Sequence, residues 1–282
     1  MITYRQASLS ELKLAVDWAT TEGWNPGRHD AEIFYASDPY GFVCAEQAGE
    51  IIATGSIVAY EKAFGFMGFF IVRPDLRGQG IGRDFWTWRR NLLQSRLQPH
   101  APIGMDGVFD MQSFYARGGF TFSHRNLRME GRGIAGSAFK NLEPLSELPF
   151  EMISAYDHKH FGFARHTFLK AWIQPQEGWG YGAVSGESLT GMGVIRPCVN
   201  GYKIGPLFAD DAQTADDLYQ ALSTHAKGQT LFLDIPEQNP AAQALAKRYQ
   251  LKEVFGCARM YNGPAPQLPW SQIYGISSFE LG

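Results

Sequence analysis

The chain has 282 residues, which predicts about two domains, and at 45% apolar and 19% charged it can bury substantial cores, unlike a disordered chain. A formal charge of −3 argues against general nucleic-acid binding, which needs a basic face. The three cysteines, Cys44, Cys198 and Cys257, lie far apart without a CxxC pair, so neither a disulfide framework nor a zinc site is expected.

The opening Met1-Ile2-Thr3-Tyr4-Arg5-Gln6 has no signal-peptide core, and the longest apolar run is too short to cross a bilayer. A soluble cytoplasmic protein without membrane partners is expected. Residues 2–7 alternate like a strand. Ser8-Leu9-Ser10-Glu11 is a capping box opening a helix with Leu12, Ala15, Val16 and Ala19 on one face. Gly23-Trp24-Asn25-Pro26-Gly27 breaks that helix, and a short one follows over 29–36. Residues 42–46 and 51–60 read as a hairpin around Gly49. A buried fourth strand spans Phe64–Val72. Phe85, Trp88, Leu92 and Leu93 recur at helical spacing over 84–97. A fifth strand over 102–109, a short helix over 112–117 and a closing arm over 120–129 complete a domain near Gly131. The thin stretch 131–137 marks its boundary.

The same grammar repeats beyond it. Ile103-Gly104-Met105-Asp106 matches Leu231-Phe232-Leu233-Asp234, and Arg128-Met129-Glu130-Gly131 matches Arg259-Met260-Tyr261-Asn262. The helix before the second closing arm has Asn239 as cap and Pro240 in its first turn. Two copies of one α/β fold are expected, over residues 1–132 and 140–282.

Between the fourth strand and the following helix lies Val72-Arg73-Pro74-Asp75-Leu76-Arg77-Gly78-Gln79-Gly80-Ile81-Gly82-Arg83. A glycine-rich strand-to-helix turn leaves backbone N–H groups unpaired at the positive end of a helix dipole, a site for phosphate or pyrophosphate. The Gly-Lys-Ser/Thr of a Walker loop is missing, and the glycine spacing does not fit the dinucleotide fingerprint. Arg77, Gly80 and Gly82 fill the pattern Gln/Arg-x-x-Gly-x-Gly/Ala, flanked by Val72, Pro74, Gly78, Ile81 and Arg83. This segment resembles the acyl-CoA loop of the GNAT N-acetyltransferases. The whole chain is similar to the two-domain, YitH-like bacterial group of that family.

The resemblance implies a mixed α/β (α+β) sheet in each half, acetyl-CoA as cosubstrate without a metal, and a small-molecule amine as acceptor. It assigns the cofactor to Ile71, Val72, Arg77, Gly78, Gln79, Gly80, Ile81, Gly82 and Arg83, with a backbone N–H of Ile71 or Val72 on the thioester carbonyl. Phe114-Tyr115-Ala116-Arg117-Gly118-Gly119-Phe120 resembles the family's Tyr-x-x-x-Gly-Phe segment, which makes Tyr115 the acid for the departing thiolate. A core aromatic with a satisfied hydroxyl is the other reading of Tyr115. The equivalent second loop, residues 206–217, holds four aspartates and no glycine, so the second half is expected not to bind CoA and instead to shape the acceptor pocket.

An amine of lysine-like basicity, pKa about 10.4, must lose a proton to attack a thioester. The fourth strand contains no acid, and Asp106, Asp110, Glu22 and the His29-Asp30 pair remain open as bases, beside a water relay. Trp24 and Asn25 are candidates to pack and orient the acceptor, or to anchor a turn. Tyr181, Tyr202 and residues 274–281 offer walls for a cleft between the halves. His158, His160 and His166 lie at mixed spacings that do not suggest a metal. Two function classes follow: an N-acetyltransferase, or an acyl-CoA sensor without turnover. A monomer or a homodimer is compatible with either.

Overall fold

The computed structural model describes residues 1–135 and 141–282; part of the boundary read at 131–137, and the second-half start at 140, lie outside the described residues. The first half runs β1 (Ile2–Gln6), α1 (Leu9–Thr21), α2 (Asp30–Ser37), β2 (Phe42–Gln47), β3 (Glu50–Tyr60), β4 (Phe64–Val72), α3 (Ile81–Arg96), β5 (Ile103–Val108), α4 (Gln112–Arg117) and β6 (Thr121–Arg132). The second runs β7 (Leu142–Pro144), α5 (Phe150–Phe161), α6 (His166–Trp172), β8 (Trp179–Ser185), β9 (Ser188–Pro197), β10 (Tyr202–Ala209), α7 (Ala212–Ser223), β11 (Thr230–Pro236), α8 (Pro240–Arg248), β12 (Lys252–Asn262) and β13 (Ile273–Gly275).

Local chemistry sets the helix ends. Ser8 accepts the Glu11 N–H while the Glu11 carboxylate accepts the Ser8 N–H, so the capping box forms in full. Asn239 accepts the Ala241 N–H at 2.9 Å and caps α8. Helix α3 begins three residues earlier than apolar periodicity suggests: its first turn is Ile81-Gly82-Arg83, of which Ile81 alone is buried in the core.

The strands form one 13-stranded mixed sheet in the order β1-β2-β3-β4-β5-β12-β6-β11-β10-β9-β8-β7, with β13 paired to β10. Parallel pairing joins β4 to β5 and, at the matching position of the repeat, β10 to β11. One expectation is corrected. The arm β6 does not close the first half against β5: β12 from the second half pairs with β5, and β6 lies between β12 and β11. Each copy lends its last long strand to the other.

Buried ion pairs cross between the copies along the exchanged strands. Arg128 on β6 pairs with Asp234 on β11 at 2.7 Å, and Arg259 on β12 pairs with Asp106 on β5 at 2.6 Å. These are the matched arginines and aspartates of the repeat, each arginine reaching the other copy's aspartate. A strand returned to its own half would still offer an arginine, so sequence similarity alone does not choose between the two pairings.

Candidate functional site

The loop after β4 passes through a short 3-10 turn at Pro74–Leu76 and then Gly78 and Gly80, at φ +79° and +85°. Side chains rarely adopt that left-handed conformation, which costs an L-residue about 1–2 kcal/mol. The N–H of Arg77 bonds to Pro74 O, and that of Arg83 to Gly80 O. Among the described residues, no protein acceptor takes the intervening N–H groups of residues 78–82. They sit at the N-terminus of a 16-residue helix, where the macrodipole adds positive potential. Gly82 lets α3 approach β4: a Cβ there would lie 3.3 Å from Val72 and 3.4 Å from Phe70. Arg77 turns its Nε to Val72 O at 2.9 Å and its guanidinium to the Glu22 carboxylate. Gln79, Gly80 and Ile81 belong to the loop but do not line the cavity beside it, whereas Arg77, Gly78, Gly82 and Arg83 do.

That cavity, about 430 Å³, occupies the gap where β4 and β5 part. The two strands pair only from Gly65 to Met67. Beyond, β4 bulges against β3, with an irregular register around Gly55 and Phe69 at φ +48°. The fully buried Arg89 holds the bulge, donating from Nη2 to Ser56 O at 2.7 Å and to Gly68 O at 2.8 Å. Burial pushes its pKa down to about 9. Arg73 donates its N–H to Ile52 O at 3.0 Å, which sets the phase of the β3–β4 ladder. Peptide directions alternate along a strand, so Ile71 points its N–H into β3 and Val72 points its own toward the gap. Of the two donors expected for the thioester, Val72 therefore has the right direction and Ile71 does not.

Tyr115 projects from α4 onto the same cavity, its ring lying where a Cβ on Gly107 of β5 would come within 2.5 Å. No protein group bonds its hydroxyl among the described residues. Burial pushes that hydroxyl up to about 12, so it keeps its proton throughout the neutral range and is a donor, not a base.

The remaining candidates separate cleanly. Trp24 and Glu22 line the cavity. Asn25 does not: its side chain donates to Asn200 O at 3.0 Å and accepts the Asn200 N–H at 2.9 Å, while its carbonyl accepts from Lys203. It ties the two halves together, and its left-handed φ of +49° suits that turn. Asp106 is committed to Arg259 and Asn126, Asp30 to Arg196, and His29 to Glu177. Asp110 is exposed and off the cavity. Tyr181 and Tyr202 are also off it, and Tyr181 bonds His225 at 3.0 Å. Phe255 and Cys257 on β12, with Phe279 and Glu280 after β13, complete the wall. Residues 279 and 280 fall in the stretch read as a cleft wall; the β12 pair follows from strand exchange and had no signal of its own.

The matching gap of the second half is already filled. Past Ile204, β10 leaves β11, and β13 pairs with β10 at Leu207 and Phe208 while Ile276 donates to Asp234 O on β11 at 2.9 Å. At the head of α7, Asp211 accepts the N–H groups of Gln213 and Thr214 at 2.8 and 2.9 Å. The chain supplies both the extra strand and the anion. Among the described residues no cluster of three or more His, Cys, Asp or Glu is set to hold a metal, and no helix is long and apolar enough to cross a membrane.

Comparison with known proteins adds to this geometry. The chain matches an acetyltransferase (GNAT) family over residues 10–94 and an acetyltransferase (GNAT) domain over residues 153–275. It is 29% identical to a holothin acyltransferase of Pseudoalteromonas sp. (strain SANK 73390), across 99% of this chain and 94% of that protein. A solved protein of Pyrococcus horikoshii, assigned provisionally to the acetyltransferases, superposes with a TM-score of 0.85 at 21% identity, covering 100% of this chain and 96% of its own. A tandem GNAT protein from the clavulanic acid biosynthesis pathway gives 0.63 at 11% identity, over 94% and 100%. With one open and one self-filled copy of the same splayed sheet, and a family match in each half, the chain belongs to the GNAT acetyltransferases as a tandem-domain member.

Proposed function

We propose that the protein transfers an acetyl group from acetyl-CoA to the amine of a small molecule, using the first half for chemistry. The observation that carries this reading is the run of unclaimed N–H groups at residues 78–82, at the rim of the gap between β4 and β5, which Gly78 and Gly82 line. A diphosphate fits such donors, and the pantetheine arm extends along the free edge of β4 toward Tyr115. The Val72 N–H is directed to polarise the thioester carbonyl as negative charge develops on its oxygen. The amine nitrogen attacks that carbon; the C–N bond forms, the C–S bond breaks, and Tyr115 gives its proton to the leaving sulfur. The similarity to a holothin acyltransferase over nearly its full length supports a small-molecule acceptor.

Calorimetry with acetyl-CoA and thiol release with a panel of amines test the reading. Gly80→Val is expected to weaken acetyl-CoA on the order of 100-fold, about 2.7 kcal/mol, because a β-branched residue cannot hold φ +85° and the loop donors turn away. Normal affinity in that variant would remove the loop assignment. Tight binding with no turnover on any amine would replace the enzyme with a sensor.

A further inference from the structure

The cavity wall carries three carboxylates, and two are spoken for. Glu22 pairs with Arg77, and Asp106 pairs with Arg259 and Asn126. The third, Glu280, is only 4% exposed, and among the described residues its Oε2 has no hydrogen-bond partner. A buried carboxyl oxygen left without a partner is costly unless something completes it.

Glu280 is also held firmly. After β13 the segment crosses to the first half: Leu281 O accepts the Tyr60 hydroxyl at 2.8 Å, the Leu281 N–H donates to Ser278 Oγ at 3.1 Å, and Ser277 Oγ accepts from Arg165 at 2.7 Å. Its backbone lies so close over β4 that a Cβ on Gly68 would strike the Glu280 carbonyl oxygen. Gly68 directly precedes the bulge, so the main chain of residue 280 is fixed over the part of β4 that leads into the gap, and Glu280 lines the cavity there. Behind it lie the pairs Arg128–Asp234 and Arg196–Asp30, and Lys203, whose Nζ bonds Asn25 O at 3.0 Å. The two pairs cancel; Glu280 offsets the remaining charge of Lys203, and Arg128, Arg196, Lys203 and the Cys257 thiol all sense it.

We propose that Glu280 is the catalytic residue that receives the acceptor amine and takes its proton. The inference rests on the acetyl-CoA reading above. The amine arrives as an ammonium, gives one proton to the Glu280 carboxylate, which passes it to water, and the neutral nitrogen attacks the thioester carbon. The nitrogen, now cationic and acidic, gives a second proton to Glu280, the C–S electron pair leaves on sulfur, and Tyr115 protonates that sulfur. Amide and thiol result, and proton exchange with water restores both side chains. A single carboxylate with an oxygen free of hydrogen bonds among the described residues, beside Trp24, Phe255 and Phe279, suits one amine on an apolar, ring-sized body, as in arylalkylamines, and disfavours polyamines and aminoglycosides, whose several charges would find no partners.

The test is Glu280→Gln beside Glu280→Asp, read by acetyl-CoA calorimetry and by thiol release against pH with an arylalkylamine. Expected for Gln is near-normal CoA affinity, turnover lower by about 100-fold, and loss of the acid limb of kcat/KM; Asp recovers at least about tenfold with the limb intact. Normal CoA binding with unchanged turnover in Glu280→Gln overturns the role of Glu280 alone. So does a loss that Lys203→Met restores in the double variant, because the carboxylate would then be only a counter-charge. Should Gln fail to fold, an Asp variant without activity or acid limb at normal CoA affinity overturns it as well. If the wild-type chain ignores acetyl-CoA, the parent reading falls first and takes this one with it.

Discussion

Asp234→Ala is expected to destabilise the protein by about 3–5 kcal/mol, the largest stability effect among the substitutions considered, since it leaves a buried arginine without its counter-ion. Arg128 is 2% exposed and would face Lys203 with Glu280 left to offset both charges. At about 2–4 °C per kcal/mol for a chain of this size, the melting temperature should fall on the order of 10 °C. Arg128→Met together with Asp234→Leu should recover most of the loss, because an apolar pair of similar volume removes both charges. A single variant melting within about 2 °C of wild type would show that the exchanged strands do not depend on this pair. Burial raises the Asp234 pKa, but the charge and hydrogen bonds of Arg128 outweigh it and hold the carboxyl below its usual value. A depressed acid stabilises fully above its unfolded pKa, about 3.9, and loses that contribution as pH falls through its folded value. The deficit of Asp234→Ala should therefore shrink below about pH 4.

Tyr115→Phe should lower kcat by about 10²-fold or more while acetyl-CoA affinity stays nearly constant, as expected for a proton donor that acts only as the thiolate departs. The ring keeps its packing against Gly107 and Trp86, so folding should be little affected. Since burial keeps the hydroxyl protonated up to about 12, its removal should depress the rate evenly across the neutral range without moving the profile. Thiol release measured from acid to mildly alkaline pH checks this. An unchanged rate would mean that solvent protonates the sulfur and that Tyr115 serves packing alone.

What could be read from the residues was mostly local. Caps, strand-to-helix turns and the loop after β4 depend on contacts within a few positions, and these formed as Ser8, Asn239 and the glycines at 78 and 80 implied. Pairing between copies was invisible, since β6 and β12 each carry an Arg-Met pair whose arginine could meet the aspartate of either copy. Asn25 misled for a related reason: an asparagine beside a tryptophan in a left-handed turn looks the same whether it meets a ligand or Asn200. The base was sought near the first half because its own strand lacked an acid. Glu280 lies more than 200 residues along the chain from β4, in a stretch without periodicity, and only the return of the segment over Gly68 brings it near.

The traded strands have a mechanical consequence. Pulling either copy loose would strip an interior strand from the other and bare two raw sheet edges, so the halves must melt as a unit. Heating should produce a single calorimetric peak rather than two, and severing the chain near residue 135 should yield sticky fragments, not a smaller working enzyme. Two copies of a fold that interlock this way cannot be parted into two stable domains.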